Sequence, residues 1–462
     1  MIRRRARRAL PVTVAAALAL AACGGVRGTP GAAGVGDPYF PKLGNGGYDV
    51  SHYALTLDYD PDSGRLKGEA VITARATQDL SAFNLDLSGL KADKVSVEGK
   101  AARFNTVRHE LTVRPSDDLH KGETFRTRVR YSGTPQTITD ADGAEEGWLR
   151  TDGGGALALG EPAGSMAWFP GNHHPGDKAA YDIAVTVPKG LKALSNGELK
   201  STTENGGRTT FNWHSAEPMA SYVAMVAIGP YETRTSTTKG GLPVHTAVVP
   251  EEAAEGEEAL AEIPEIIAWQ ERLFGPYPFS SVGAIVAGED DAGYALETQT
   301  KPVFPGVPET ELMVHEFAHQ WFGNSVSPRT WQDMWLNEGF ATYAEWLWEE
   351  DHGGDTAQET FDALYEGDDE GIWAFPPAEP PGPDRISDSP VYERGAMVLH
   401  KIRQAVGDEA FFGILRGWPA AYRHGTADTD AFVAYVEKRA GGADLSGVWA
   451  AWLRGDGKPK RP

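Results

Sequence analysis

The sequence VHEFAHQWFGN at residues 314–324, followed by WLNEG at residues 335–339, decides how the rest of the chain is organised. His315 and His319 are four residues apart, so on a helix their imidazoles project from one face and can converge on one metal ion. Catalytic zinc usually takes three protein ligands and leaves a fourth position for water. Glu338 follows His319 with eighteen residues between them and is the natural third ligand. The pattern therefore predicts a His-His-Glu zinc site.

Glu316 lies between the two histidines in sequence, near the predicted metal without being needed as a ligand. A bound cation lowers the pKa of its water to roughly 7, and a carboxylate beside it can accept the proton as the water attacks a carbonyl. Glu316 is thus the predicted general base of a hydrolytic reaction. The competing interpretation, two surface histidines on an amphipathic helix, explains neither the downstream Glu nor the apolar run at residues 312–314.

Hydrophobic periodicity divides the chain into two parts. From residue 48 to about residue 232, apolar and polar residues alternate in short segments separated by Gly, Asp and Pro, which predicts an antiparallel β domain. Its clearest strands are 53–57, 69–74, 83–87, 125–131 and 181–187. Beyond it, apolar residues at helical spacing predict amphipathic helices, with an interruption at Pro264. The helices cover 251–274, 396–404, 409–415 and 430–438, and a proline-rich loop or lid covers 366–390.

Together these motifs resemble the aminopeptidase N family of zinc metallopeptidases. That family's signature is typically embedded in HExxHQWFGN and WLNEGFA, and both read almost unchanged here at residues 315–324 and 335–341. The resemblance covers nearly everything from Tyr48 onward. It implies one zinc ion per chain, removal of N-terminal residues from peptides, and an α+β fold. That fold would be an antiparallel, saddle-like β domain at residues 48–240 followed by a thermolysin-like, mainly helical catalytic domain at residues 241–462.

A further motif concerns the amino group of the substrate. The segment YALET at residues 294–298 aligns with the family's G-x-M-E-N, whose glutamate holds the substrate's α-ammonium group, and this implies the same role for Glu297. A carboxylate fixed one residue's length from the scissile carbonyl favours chains that end there in a charged amine. Tyr294, Leu296 and Thr298 replace Gly, Met and Asn, so the shape of the pocket stays open, and an exposed strand carboxylate is the alternative for Glu297.

The resemblance assigns two more residues. Glu161, in GEP at residues 160–162, occupies the place of a Gln or Glu that contacts the free amine, although a surface carboxylate fits the sequence equally well. Tyr392, in VYERGA at residues 391–396, resembles the tyrosine that donates a hydrogen bond to the oxyanion of the tetrahedral intermediate. Metal ligands also need hydrogen-bond partners that fix their orientation. The candidates on and before the second helix are Asp333, Asn337 and Glu345.

The beginning of the chain predicts export. Five arginines precede an apolar, alanine-rich run that ends at Ala22, which is the layout of a signal peptide and is too short for a convincing membrane span. The run ends in LAAC, which resembles a bacterial lipobox, and Cys23 is the only cysteine in the chain. Residues 1–22 are thus a predicted signal peptide and Cys23 a predicted lipidation site. Residues 23–47, rich in Gly, Pro and Ala, are predicted to be a flexible tether.

Composition narrows the partners and the location. A formal net charge of −22 argues against nucleic-acid binding, which usually needs a basic patch. We expect a monomer at the bacterial cell surface, anchored in the membrane through lipid on Cys23 and facing outward, or released in part. Its other partners would be peptides with a free N-terminus. The family's helical C-terminal domain has no counterpart in the 70 residues that follow Tyr392, so we expect a more open cleft.

Two other functions stay open at this point. A thermolysin-like zinc endopeptidase would keep the metal chemistry, would have no need of Glu297, and would cleave N-blocked peptides. A non-catalytic surface lipoprotein that uses the fold for binding would hold no stoichiometric zinc and hydrolyse nothing. A decayed site usually loses at least one functional residue, whereas this chain has His315, Glu316, His319, Glu338, Glu297 and Tyr392.

Overall fold

The computed structural model describes residues 28–460, and alternating side chains build a large eight-stranded sheet in its first half. In Tyr48–Asp60, for example, Tyr53, Leu55 and Leu57 are buried, whereas the side chains between them are more exposed. The strands of the large sheet, in spatial order, are Glu198–Asn205, Arg208–Ala220, Lys178–Pro188, Tyr48–Asp60, Arg65–Ala76, Thr124–Gly133, Lys91–Val97 and Lys100–Ala101.

Two smaller sheets complete the β domain. One comprises Thr29–Pro30, Leu80–Asp86, Glu110–Arg114 and Arg103–Val107. The other comprises Thr137–Thr139, Glu145–Arg150, Ala156–Leu159, Val226–Gly229 and Lys192–Ser195. The predicted α+β fold with a β domain first is confirmed, but the sheets are mixed, because Tyr48–Asp60 runs parallel to Lys178–Pro188. The five predicted strands all lie in these sheets.

The segment 28–47 is packed onto the protein, so the prediction of a flexible tether is wrong for these residues. Asp37 and Asn45 are only 2% and 1% exposed. The segment begins with a strand, Thr29–Pro30, that extends one of the smaller sheets. Its Gly and Pro content indicated flexibility, but its polar groups have buried partners; the Asn45 side-chain amide, for example, donates a hydrogen bond to Asp86 at 3.1 Å.

The second half of the chain is mainly helical around a four-stranded sheet. Its α-helices are Ala253–Leu260, Ile263–Phe274, Thr310–Ala318, Trp335–His352, Ala357–Glu366, Gly395–Val406, Asp408–Ala421 and Thr429–Glu437. Its sheet comprises Glu232–Thr237, Pro243–Val248, Val282–Ala287 and Val303–Pro305, and a two-stranded pair joins Ser327–Pro328 to Thr426–Ala427. The predicted break near Pro264 is confirmed by two successive helices. The predicted domain boundary after residue 240 falls in the turn between two paired strands.

Short helical turns connect these elements. Single 3₁₀ turns are Asp152–Gly154, Gly164–Ala167, Ser221–Val223, Pro250–Glu252, Trp331–Asp333, Glu370–Trp373 and Pro383–Arg385, and π-helical turns are Pro390–Arg394 and Val448–Leu453. Within residues 28–460, no helix has both the length and the apolar character that crossing a membrane requires. The predicted signal peptide and Cys23 lie outside the described residues.

Candidate active site

Two packed helices carry the predicted metal ligands. The first ligand helix, Thr310–Ala318, holds His315 in its last turn, and His319 follows directly after the helix. The second ligand helix, Trp335–His352, holds Glu338 in its first turn. Apolar packing fixes the two helices against each other because the segment after the first helix stacks on the second, with the Phe322 and Phe340 ring centroids 4.3 Å apart.

The three predicted donors converge at distances that fit a tetrahedral zinc ion. Nε2 of His315 lies 3.3 Å from Oε2 of Glu338, and Nε2 of His319 lies 3.4 Å from the same oxygen. Zinc bonds of about 2.0–2.1 Å to nitrogen and oxygen would hold tetrahedral donors about 3.3–3.4 Å apart. All three residues are at most 9% exposed. The side chains present therefore suit zinc in both chemistry and spacing.

Hydrogen bonds orient both imidazoles toward that point. Nδ1 of His315 donates to Oε1 of Glu345 at 2.5 Å, and Nδ1 of His319 donates to the carbonyl of Phe322 at 3.1 Å. These bonds fix Nδ1 of each ring, so that Nε2 faces Glu338 and the point where a metal would bind. The structure thereby selects Glu345 from the three candidate partners. Asp333 instead accepts from Thr429, and Asn337 donates to Tyr222.

Charges among the donors set their pKa values. Burial lowers the pKa of His319, but the carboxylates of Glu338 and Glu297 outweigh burial and raise it to about 9. Burial also lowers the pKa of His315, which Glu338 and Glu345 raise well above its usual value. Burial raises the pKa of Glu338, but His319 and His315 bring it down to about 2. A metal cation must therefore displace protons from both imidazoles when it binds.

Glu316 has the environment of a general base. The residue is 5% exposed, and its Oε2 atom has no hydrogen-bond partner among the described residues. One of its carboxylate oxygens lies within 4.8 Å of ligand atoms of both His319 and Glu297. Burial raises the pKa of Glu316 to about 7, although the two neighbouring histidines act to lower it. The carboxylate is thus beside the donors and free to take a proton.

The segment that places Glu297 at the cavity is held by hydrogen bonds to its backbone. Glu297 is 3% exposed, and its Oε1 atom lacks a hydrogen-bond partner among the described residues. Its backbone carbonyl accepts from the side-chain amides of Asn324 at 2.6 Å and Gln320 at 3.3 Å. Among the described residues, the segment forms one bridge, between Leu296 and Val303. The burial of this carboxylate excludes the alternative of an exposed strand residue.

Glu161 and Tyr392 also lie at this site. A carboxylate oxygen of Glu161 is within 4.8 Å of those of Glu297 and Glu338, although Glu161 belongs to the β domain. The Tyr392 ring stacks near His315, with centroids 6.2 Å apart and planes at 14°. Burial, followed by the charge of Glu338, raises the pKa of Tyr392 well above its usual value, so its hydroxyl keeps the proton that it would donate.

These residues line a cavity of about 670 Å³ between the two parts of the chain. The β domain contributes the loop around residues 140–145, and the proline-rich loop contributes Pro383, Ile386 and Ser387. The described lining has no lysine or arginine but includes eight carboxylates: Asp140, Asp142, Glu145, Glu161, Glu297, Glu316, Glu338 and Glu345. Such a lining attracts cations, including a metal ion and an ammonium group. A cavity of about 780 Å³ near residues 238–243 contains none of the predicted site residues.

A close contact between two glycines fixes the second ligand helix against the segment that carries Tyr392. A Cβ atom at Gly339 would lie 2.9 Å from the carbonyl carbon of Gly395, and a Cβ at Gly395 would lie 3.0 Å from Cα of Gly339. Neither position has room for a side chain. Because Gly339 follows Glu338 directly, this contact sets the distance between the third ligand and Tyr392.

The motifs contain positioning residues whose roles the sequence analysis did not assign. The side-chain amides of Gln320 and Asn324 donate hydrogen bonds that hold the Glu297 segment in place. The sequence feature that could have indicated this role is the pair of polar residues in QWFGN. Gly323 has φ +123°, and a Cβ there would lie 3.2 Å from Nδ2 of Asn337 and 3.4 Å from Nδ1 of His319. Tyr222 is buried and its hydroxyl donates to the carbonyl of Gly323 at 3.3 Å. No pattern around Tyr222 marks it in advance.

Three features of the cavity together define a class of enzyme. They are a set of donors with the spacing that zinc requires, the Glu316 carboxylate beside that set, and a second pair of carboxylates, Glu297 and Glu161, in the same cavity. Hydrolysis of a peptide bond needs the first two features, and a substrate with a charged end would use the third. Fold and site thus define a zinc metallopeptidase.

The chain belongs to peptidase family M1. The model of the Peptidase M1 N-terminal domain matches residues 49–223, and the model of the Peptidase family M1 domain matches residues 307–452. The crystal structure of an M1 zinc metallopeptidase from Deinococcus radiodurans is 30% identical and superposes with a TM-score of 0.85, over 93% of this chain and 98% of that one. A two-domain M1 zinc metallopeptidase mutant bound to L-arginine superposes with a TM-score of 0.86, again at 30% identity, over 93% and 99%.

Longer relatives match the chain along part of their length. Aminopeptidase 2 of Candida albicans is 24% identical over 88% of this chain and 47% of its own. Leucyl aminopeptidase of Saccharolobus solfataricus is 25% identical over 89% of this chain and 54% of its own. The chain thus spans about half the length of these curated relatives.

Proposed function

We propose that this chain is a zinc-dependent aminopeptidase that removes N-terminal residues from peptides, with one zinc ion per chain. The observation that carries the proposal is the pair Glu297 and Glu161, whose carboxylate oxygens lie within 4.8 Å of each other and of the third donor, Glu338. Oε1 of Glu297 is buried and has no partner in residues 28–460. A buried carboxylate oxygen without a partner is costly, and an ammonium group would supply both charge and hydrogen bonds.

The chemistry follows from the placement of the side chains. His315, His319 and Glu338 would hold zinc, which supplies a water of lowered pKa and polarises the scissile carbonyl. The free Oε2 of Glu316 accepts the proton of the attacking water, and the same carboxyl group returns it to the leaving amine. The protonated hydroxyl of Tyr392 donates to the carbonyl oxygen as negative charge develops there, which lowers the barrier without tightening substrate binding.

Selectivity for chain ends follows from the same cavity. Glu297 and Glu161 accept hydrogen bonds from the α-ammonium group and so fix the substrate with its first peptide bond at the donors. A mid-chain amide at that position would leave both carboxylates unpaired. The names of the relatives support this proposal, since Aminopeptidase 2 and Leucyl aminopeptidase match most of this chain.

The deciding experiment is hydrolysis of a panel of aminoacyl chromogenic amides, each with a free and an N-acetylated amino group. Wild-type protein should cleave only the free-amine substrates, should lose this activity with chelator and should regain it with zinc. Glu316→Gln is the matched control because it keeps the three donors and removes the proton acceptor.

Two outcomes would overturn the proposal. Equal cleavage of the acetylated panel would assign the protein to the thermolysin-like endopeptidases and remove the amine-binding role of Glu297. Absence of both hydrolysis and stoichiometric zinc would favour a non-catalytic binding lipoprotein. The family and the donor geometry favour catalysis over this last alternative.

We also propose that the enzyme is an outward-facing lipoprotein of the bacterial surface, anchored through Cys23. The order of a basic segment, an apolar run and a single cysteine supports this. Because residue 28 is already packed, five residue steps would hold the β domain within about 18 Å of the lipid. In an exporting bacterium, Cys23→Ser should abolish labelling by radioactive palmitate and move the protein from the membrane to the medium, with kcat unchanged. Persistent labelling would refute lipidation at this cysteine.

A further inference from the structure

The packed segment 28–47, here called the N-terminal strap, is attached to the β domain at both ends. At its start, the backbone N–H of Gly28 donates to Asp118 at 2.8 Å. At its end, the backbone N–H of Gly44 donates to Asp86 at 3.0 Å. The residues between these attachments are thereby held in a fixed path across the surface of the molecule.

In the middle of the strap, Asp37 reaches the catalytic half of the chain. Its side chain is fully buried. It accepts hydrogen bonds from the backbone N–H of Trp331 at 3.0 Å and from Nε2 of His174 at 3.1 Å. It also accepts from the backbone of Tyr39 and Phe40 at 2.8 and 2.9 Å. One carboxylate therefore ties together the strap, the β domain and the catalytic half.

Asp37 holds the backbone just before the N-terminus of the second ligand helix. Trp331 begins the 3₁₀ turn Trp331–Asp333, which runs into the helix Trp335–His352 that carries Glu338. The first N–H groups of a helical segment have no partner within the segment and need an external acceptor. Phe40 adds an edge-on contact with the Trp331 ring, at 5.8 Å between centroids.

A second strap residue, Tyr39, contacts the loop that leads to Tyr392. The hydroxyl of Tyr39 donates to the carbonyl of Pro380 at 2.5 Å. Pro380 belongs to the proline-rich loop, which continues through Ile386 and Ser387 at the cavity to the π-helical turn containing Tyr392. The strap thus contacts the segments that lead to both Glu338 and Tyr392.

We propose that the N-terminal strap positions the active site, with Asp37 as a positioning residue for the zinc ligand Glu338 and Tyr39 as a positioning residue for Tyr392. Neither strap residue lines the cavity or touches the donors, so each acts through the segment it holds. The proposal depends on the proposed function only where a catalytic rate is the readout. Zinc affinity tests it independently of any substrate.

The test uses four variants of the full chain: Asp37→Ala, Asp37→Asn, Tyr39→Phe and, as a matched control, Asp118→Ala. The control removes a strap attachment of the same kind, but one that lies wholly within the β domain. Zinc affinity is measured by competition with a chromophoric chelator, kcat and KM with one free-amine amide, and thermal stability with the zinc-free chain.

We expect Asp37→Ala to weaken zinc binding and kcat each by about 10-fold with little change in KM, because misplaced supports of metal ligands cost on that order. Asp37→Asn should lose about 3-fold, since its amide oxygen can still accept from Trp331. Tyr39→Phe should lower kcat by about 3-fold and leave zinc affinity unchanged. Asp118→Ala should leave zinc affinity and kcat within about twofold whatever it does to thermal stability.

The proposal is overturned if Asp37→Ala lowers thermal stability but keeps wild-type zinc affinity and kcat, because the strap is then only a structural attachment. It is equally overturned if Asp118→Ala weakens zinc binding as much as Asp37→Ala. Should Asp37→Ala fail to fold, Asp37→Asn decides by the same criteria. If no variant or wild type hydrolyses the amide, the proposed function has failed, and the zinc affinities alone decide the role of Asp37.

Discussion

The histidines that face the predicted metal and the carboxylates proposed to act on the substrate and the attacking water share one cavity but differ in their hydrogen bonding. Both histidine donors have Nδ1 fixed by an acceptor, Glu345 for His315 and the Phe322 carbonyl for His319. Glu297 and Glu316, by contrast, each keep a buried oxygen without a partner in residues 28–460. The histidines are oriented for a metal that stays bound, whereas the unpaired oxygens suit substrate and water, which exchange in every turnover.

This difference predicts two classes of variant. Changes at the unpaired carboxylates should alter rates and leave zinc affinity intact, and changes at the fixed set should alter zinc affinity first. The comparison would fail if a change at an unpaired carboxylate lowered zinc affinity, or if a change at the fixed set lowered the rate at saturating zinc.

The largest effect should come from Glu316→Gln. Loss of the proton acceptor should lower kcat by about 1,000-fold, as is typical of a positioned general base. Steady-state kinetics with a free-amine amide would measure the loss, and metal analysis of the same sample should find zinc at the wild-type level. A variant with lowered zinc content would move Glu316 into the metal-binding set.

Tyr392→Phe should come next. Removal of one hydrogen-bond donor to the developing oxyanion should lower kcat by about 100-fold and change KM little, because the contact strengthens only in the transition state. The measurement is the separation of kcat from KM. A rise in KM with an unchanged kcat would make Tyr392 a ground-state binding residue.

Glu297→Gln should lower kcat/KM for free-amine amides by about 30-fold, since it removes a charge-assisted hydrogen bond. Acetylated substrates should be unaffected, so discrimination between the two panels narrows. Glu161→Gln is the matched comparison and should have a smaller effect because Glu161 is less buried. If Glu161→Gln lost more than Glu297→Gln, the main amine contact would belong to the β domain.

Glu345→Gln tests the fixed set and should weaken zinc binding by about 10-fold, because the His315 imidazole loses a charged acceptor that orients it. Chelator competition gives the affinity. With zinc supplied in excess, kcat should return close to the wild-type value. A kcat that stays low at saturating zinc would place Glu345 in the chemistry itself.

The smallest effect concerns pH and the zinc-free chain. The pKa of His319 is about 9 in the folded state, where the Glu338 and Glu297 carboxylates outweigh burial, against 6.5 in the unfolded chain. The corresponding stabilisation is fully present below pH 6.5 and is lost as the pH rises through 9. The Tm of zinc-free protein should therefore be lower at pH 9.5 than at pH 6.5, by about 2–3 °C. In zinc-loaded protein this contribution should vanish, because the imidazole is already deprotonated.

The structure brings the three predicted donors together, and the sequence could indicate this because helical spacing is a local property. Two histidines four apart and a glutamate in the first turn of the next helix are readable without any knowledge of tertiary contacts. The proximity of Glu161 to Glu297 was not readable in this way, since packing of the β domain joins residues 136 positions apart. Resemblance alone suggested it.

The strap shows where composition misleads. Gly and Pro between residues 24 and 47 indicated an unstructured tether because composition does not report on partners elsewhere in the chain. The relevant partners, Asp86 and the backbone of Trp331, are remote in sequence. The choice of Glu345 over Asp333 and Asn337 was likewise a matter of tertiary geometry.

The contact between Gly339 and Gly395 has a consequence for how freely this enzyme can vary. Neither residue is placed to touch a substrate or a metal, yet even alanine at either position would force two backbones apart. In a saturation library selected for activity, both positions should tolerate almost nothing, while many cavity-lining positions should accept substitutions that merely retune the preferred peptide. The positions least tolerant of substitution would then be two that take no part in the chemistry.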